Sequence, residues 1–207
     1  MVLARHSVES QRIPLVLCGH MNGGKQELIQ MIRERSFRLT ESPTFRLSSG
    51  AMSRFYFNMK PVTYSPMGLK MIGELYLKQL DEVGLRPDAI GGLTMGADPI
   101  AAAVARASCE SPPLIEAFVI RKEPKQHGTA QQLEGYVKAG DRVVIVDDVV
   151  TTGASTIKAI RAAEAQDVKI VGVVVLLDRG EQNGMQNIVD CGYPAYSLLN
   201  IRDFVNA

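Results

Sequence analysis

The sequence predicts an α/β fold, a mostly parallel sheet flanked by helices. Three observations predict it. Beyond residue 66, helix-patterned and strand-patterned segments alternate along the chain. The helical segments between successive strands run to about ten residues or more, the length that a right-handed crossover between parallel strands requires. One run, residues 169–177, is apolar after its first lysine, as a strand covered on both faces must be.

Composition sets the outer limits. The chain has 207 residues, 46% hydrophobic and 22% charged, as an ordinary globular protein does. At roughly 150 residues per domain, one domain with elaborations is expected rather than two. Lys plus Arg number 23 against 22 Asp plus Glu, a net charge of +1, so no global field draws the protein onto nucleic acid or an anionic membrane. The longest charge-free apolar stretch, residues 170–177, falls far short of the roughly 20 residues that span a bilayer. The apolar patch at 13–18 is shorter than a signal-peptide core. Cys18, Cys109 and Cys191 are odd in number and far apart, which suits neither a disulfide framework nor a metal knuckle and predicts a reducing, cytoplasmic setting.

The elements follow in order. Residues 1–22 show no period and are read as an N-terminal extension of unknown role. Residues 25–35 place Leu28, Ile29 and Ile32 on one side of a helix. A β-rich stretch follows, with Phe45 and Leu47, then Phe55, Tyr56 and Phe57, around the turn residues Ser48, Ser49 and Gly50. Pro66 opens a helix carrying Leu69, Ile72, Leu75 and Tyr76 three or four apart. Strands are expected at 89–93, 117–120, 142–146 and 169–177, with helices at 99–107 and 154–166.

Chemistry concentrates in residues 142–156, RVVIVDDVVTTGAST. Four β-branched residues drive a buried strand, and Asp147 and Asp148 follow at its carboxyl end, where parallel sheets receive ligands. Two such carboxylates repel one another and cost stability unless they bind something, such as sugar hydroxyls or a metal. Thr151, Thr152, Gly153, Ala154 and Ser155 then lead into a helix. Small residues there let backbone amides and the positive end of the helix dipole close on a phosphate. The chain contains neither GxxxxGK[ST] nor GxGxxG, so this is no Walker loop and no dinucleotide fingerprint.

VVIVDDVVTTGAS resembles the ribose-phosphate signature of type I phosphoribosyltransferases, which bind phosphoribosyl pyrophosphate (PRPP). The resemblance implies that Asp147 and Asp148 hold the ribose hydroxyls. It implies that Val149, Val150, Thr151, Thr152, Gly153, Ala154 and Ser155 wrap the 5-phosphate.

A second cluster is FVIRKEPKQHGTAQQLEG, residues 118–135. A strand delivers Arg121 and Lys122 to the ligand edge, and a loop with Pro124 and Gly128 presents Lys125 and His127. Expelling pyrophosphate builds negative charge on the leaving oxygens, which preorganised cations and Mg²⁺ stabilise. RKEPKQHG matches every specified position of the RKExKxHG motif of orotate phosphoribosyltransferases. That resemblance implies that Arg121, Lys122, Lys125 and His127 contact PRPP and pyrophosphate, with Lys125, His127, Asp147 and Asp148 as the catalytic set. It also implies a homodimer in which part of this loop completes the partner's site, and Mg²⁺ held mainly through PRPP rather than by dedicated protein ligands.

In LLDRGE, Arg179 follows the apolar strand. In the family an arginine so placed meets the substrate carboxylate, a task that suits a bidentate guanidinium. The resemblance adds Thr151, Tyr56 and Phe57 to the orotate pocket. The segment FRLSSGAMSRFYFNMK resembles the family's hood, except that Ser48 stands where a lysine is usual; in GGLTMGADP, Gly96 stands where many members carry another lysine. The expected activity is transfer of ribose 5-phosphate from PRPP to orotate, giving orotidine 5′-monophosphate for pyrimidine biosynthesis. Its domain is expected at 23–207, with a hood from about 23–60 and the C-terminal segment. Two alternatives are a phosphoribosyltransferase for uracil or a purine, and a non-catalytic PRPP-sensing regulator.

Overall fold

A computed structural model describes residues 23–47, 50–123 and 132–205. The chain folds as α1 (Gly23–Arg35), β1 (Phe37–Leu39), β2 (Phe45–Arg46), β3 (Met52–Ser53), β4 (Phe55–Phe57), α2 (Lys60–Thr63), α3 (Pro66–Glu82), β5 (Ala89–Leu93), α4 (Asp98–Ser108), β6 (Glu116–Ile120), β7 (Leu133–Gly135), β8 (Arg142–Val150), α5 (Ala154–Glu164), β9 (Lys169–Asp178), α6 (Gly184–Val189), β10 (Ala195–Asn200) and α7 (Arg202–Val205). Six strands form one sheet in the order β10-β9-β8-β5-β6-β7, in which only β7 runs antiparallel to its neighbour.

The sheet is covered on both faces. Val144, Val146, Val174 and Leu176 pack with residues of α1, α3 and α4, while Val143, Ile145, Val173 and Val175 pack with α5 and Ile188 of α6. Residues 173–177 are all fully buried, so alternate side chains of one strand serve two cores. That explains why this run has no polar period. α3 is started by Ser65, whose side chain accepts the Gly68 N–H, with Pro66 at the first helical position.

The strand predicted at 142–146 continues to Val150. The cause is β9, which runs on to Asp178 and pairs with Asp147, Val149 and Val150. Short elements that carry no sequence period, namely β1, β7, α6, β10 and α7, complete the fold.

A small antiparallel layer sits beside the sheet. β1 pairs with β4 and β2 with β3. Phe37 and Phe57 place their rings 5.5 and 5.3 Å from that of Phe204 on α7. Arg33 on α1 donates to the carbonyls of Asp203 and Phe204. The N-terminal hairpins and the C-terminal helix thus share one aromatic core.

Candidate active site

Parallel strands β5, β6, β8 and β9 all end on one rim of the sheet. Asp147 and Asp148 occupy successive positions of β8, so their side chains leave opposite faces. Asp147 is 4% exposed. Its Oδ2 accepts from Ser155 Oγ at 2.6 Å and Thr156 Oγ1 at 2.8 Å, and its Oδ1 accepts the Asp148 N–H at 3.0 Å. Asp148 Oδ1 accepts the Val149 N–H at 2.9 Å. Both carboxylates come up to the backbone of the β5–α4 loop: a Cβ on Gly96 would lie 2.7 Å from Asp148 Oδ1 and 3.2 Å from Asp147 Oδ1. Any side chain at 96 has to displace a carboxylate. The peptide between Thr94 and Met95 in this loop is cis.

Burial raises the pKa of both aspartates. Asp148 is pushed up to about 6, by burial first and then by the charge of Asp147. Tyr76, fully buried on α3, donates to the Val174 carbonyl at 3.3 Å. Burial, then the field of the acidic pair, pushes its phenol well above its ordinary value, so it keeps its proton.

Only residues 151–153 separate β8 from α5. Gly153 adopts a left-handed φ of +79°, and a Cβ there would stand 2.8 Å from the Gly184 carbonyl, so glycine alone fits. Asn187 Nδ2 braces the loop by donating to the Thr152 carbonyl at 2.9 Å. Thr151, Thr152 and the first amides of α5 therefore lie together at the turn where a phosphate is expected. Val149 and Val150, expected to wrap a phosphate, are the last strand residues of β8, opposite Leu177 and Asp178. Ala154 and Ser155 lie in the first turn of α5.

At the end of β6, Arg121 exchanges hydrogen bonds with Gln132: its N–H reaches the Gln132 carbonyl at 2.9 Å, and Gln132 Nε2 reaches the Arg121 carbonyl at 3.2 Å. A cleft of about 430 Å³ lies between Thr94, Val119, Arg121, Lys122, Glu123 and Glu134. The two cations thus stand beside the Gly96-containing loop, across β5 from the acidic pair. Lys125 and His127 lie outside the described residues, as does Ser48.

Arg179 is 5% exposed and is no free cation at the sheet edge. Its Nη2 donates to the Phe55 carbonyl at 2.9 Å and to Ser53 Oγ at 3.0 Å, and lies 2.8 Å from Glu181 Oε2. Ser53 Oγ in turn donates to Glu181 Oε1 at 2.9 Å. The ion pair is one of proximity rather than alignment: Arg179 Nε and Glu181 Oε2 are both buried without an aligned hydrogen-bond partner. Burial lowers the guanidinium pKa, against the opposing charge of Glu181.

Tyr56 and Phe57 do not share a wall. Alternation along β4 leaves Tyr56 45% exposed, stacked on Phe45 with centroids 5.3 Å apart, and buries Phe57 in the hood core. Phe57 still lies under the Arg179 guanidinium, 5.9 Å from ring centroid to Cζ.

Known proteins bear on this arrangement. The phosphoribosyl transferase domain family matches residues 62–197. The orotate phosphoribosyltransferase of Aquifex aeolicus (strain VF5) is 41% identical over 181 residues, covering 87% of this chain and 97% of that protein. The chain belongs to the orotate phosphoribosyltransferase family. Two crystal structures of the Mycobacterium tuberculosis H37Rv member are similar, each covering 87% of this chain and 98% of theirs. The complex with Fe(III) dicitrate has a TM-score of 0.74 at 31% identity, and the complex with PRPP 0.70 at 29%.

Within this family member, three site residues escaped the sequence reading. Thr156 caps the acidic pair from inside α5, Ser53 joins the hood to the sheet, and Glu181 holds Arg179. Only Glu181 left a signal, as the next charge after Arg179 in LLDRGE.

Proposed function

We propose that the protein transfers the 5-phosphoribosyl group of PRPP to orotate, releasing pyrophosphate and forming orotidine 5′-monophosphate. The observation that carries this reading is the pairing of buried Asp147 with half-buried Asp148, followed within a few residues by a helix entered through a left-handed glycine. In this reading the pair receives the ribose hydroxyls, and residues 149–155 receive the 5-phosphate. The bond from ribose C1 to the pyrophosphate oxygen breaks, a bond from C1 to the orotate ring nitrogen forms, and the proton of that nitrogen leaves with the departing pyrophosphate. Charge then grows on pyrophosphate beside Arg121 and Lys122, with Lys125 and His127 supplied by the loop that follows. Excluding water protects the cationic sugar from hydrolysis. Arg179, with Thr151 and the hood aromatics, receives orotate; Ser48 belongs to the same pocket.

The residues suit Mg²⁺ bound together with PRPP. Among the described residues no three or more His, Cys, Asp or Glu side chains form a metal cluster, and both Asp147 oxygens already accept hydrogen bonds. Mg²⁺ commonly takes one or two carboxylates, waters and substrate phosphates, and in this reading PRPP would supply most of its ligands, with Asp148 the nearest carboxylate to add one. Bound so, the ion neutralises charge on the leaving group.

The catalytic unit we propose spans residues 23–207, with residues 1–22 as an extension. It works as a homodimer with shared sites in the cytoplasm, on small molecules rather than nucleic acid. Among the described residues no helix is long and apolar enough to cross a membrane. The test is turnover with PRPP and Mg²⁺ on orotate, uracil and hypoxanthine. Turnover confined to orotate is expected; preference for another base, or none, overturns the reading.

A further inference from the structure

We propose that Glu181 is a resident stand-in for the substrate carboxylate: it neutralises Arg179 in the empty site and is displaced when orotate binds. This rests on Arg179 being the orotate partner. Three features support it.

First, a guanidinium that is 5% exposed needs an anion, and the carboxylate beside it, 2.8 Å away, comes from Glu181. Second, the fit is poor. Arg179 Nε and Glu181 Oε2 are both buried without an aligned hydrogen bond. A planar carboxylate presented edge-on would satisfy Nε, and Nη2 with it once Ser53 Oγ gives up its bond from Nη2. Two carboxylates on one buried guanidinium leave an uncompensated negative charge, so the better-fitting one excludes the other. Third, Glu181 sits on a turn built of left-handed residues, Gly180 (φ +62°), Gln182 (φ +53°) and Asn183 (φ +55°). Two of these are not glycine, so the turn is held in a sparsely populated conformation that movement of Glu181 can relieve, with Gly180 N–H bonded to Asp178 Oδ1 at 2.8 Å and Asn187 Nδ2 to the Gln182 carbonyl at 3.3 Å as its anchors. Ser53 Oγ, which donates to Glu181, also accepts from Arg179, so release of Glu181 frees a hydroxyl for the incoming ligand.

The experiment compares wild type with Glu181→Gln and Glu181→Ala. Without its anion, Arg179 is stranded in the empty site and waits for orotate without a competitor. Both variants should melt at lower temperature than wild type when unliganded, and orotate should raise their melting temperature by more. The orotate KM should fall about tenfold, the effect of relieving a competing ion pair, with the PRPP KM unchanged. Loss of a merely structural contact would move the orotate KM the other way. An orotate KM that rises or stays constant, or an orotate-induced thermal shift no larger than in wild type, overturns the proposal. Should either variant not fold, hydrogen exchange on wild type decides: orotate should speed exchange across residues 180–183, and unchanged or slowed exchange overturns it. Failure of the underlying reading looks different, since Arg179→Ala would then keep full orotate turnover whatever Glu181 does.

Discussion

Thr156 donates a 2.8 Å hydrogen bond to Asp147 although both are buried, one in a strand and the other in the following helix. The contact explains how an acidic residue survives at the end of a hydrophobic strand. Asp147 is oriented by two hydroxyls and an amide before any ligand arrives, so the carboxylate spends no binding energy on finding its place.

Asp147→Asn with Asp148→Asn should leave the fold intact and weaken PRPP binding by a hundredfold or so, about 3 kcal/mol, because the ribose hydroxyls lose charged acceptors. Calorimetric titration with PRPP and Mg²⁺ measures it. Unaltered affinity would remove the ribose from this pair.

Asp148, raised to about 6, gives a pH dependence. The folded protein keeps this proton up to about pH 6, whereas the unfolded chain gives it up near pH 4. Stability of the ligand-free protein therefore declines as pH rises between those values. PRPP affinity moves oppositely, falling as the pH is lowered through 6, because the hydroxyls need the ionised form. Denaturation and binding titrations from pH 4 to 8 should show both trends, and Asp148→Asn should flatten both. A rise in stability across that interval would contradict the assignment.

Gly153→Ala introduces a Cβ at a left-handed position, 2.8 Å from the Gly184 carbonyl. A destabilisation of about 1–3 kcal/mol is expected, together with loss of PRPP affinity, since Thr151 and Thr152 must move. Chemical denaturation alongside PRPP titration checks both effects; wild-type values in both would mean the loop needs no glycine.

Arg179→Ala should cost about 2–5 kcal/mol in orotate kcat/KM, the scale for stranding a buried charge, while residual activity on uracil hardly changes. Steady-state kinetics on both bases supplies the comparison. The variant should also melt lower, because Glu181 loses its cation.

Lys125→Ala and Asp147→Asn proteins, each nearly inactive, should partly recover activity on mixing if the basic loop completes a partner's site. Absence of recovery, with subunit exchange demonstrated, would place each site within one chain.

How much could be read beforehand depended on the range of the interaction. Strand 169–177 and the helix at Pro66 were legible because their signals are local: β-branched residues, a cap, a proline, a period. The place of Asp147 and Asp148 at the carboxyl end of a buried strand was legible because composition and position coincide within a dozen residues. The reach of β8 to Val150 was not, since it depends on pairing with β9 out to Asp178. The Arg179–Ser53–Glu181 network was hidden for the same reason, as Arg179 and Ser53 are 126 positions apart. Tyr56 and Phe57 looked equivalent as neighbours in an aromatic run, and the pleat of β4 sends them to opposite faces.

Because β5, β6, β8 and β9 deliver their loops to one rim from separate strands, each loop is an independent insertion on a common frame. In the proposed reading the donor-binding part hangs from β8, the leaving-group part from β5 and β6, and the base-reading part from β9 and the hood. A lineage can therefore exchange the base its enzyme accepts by rewriting the turn after β9 and the hood hairpins, while the machinery that activates the sugar is inherited unaltered.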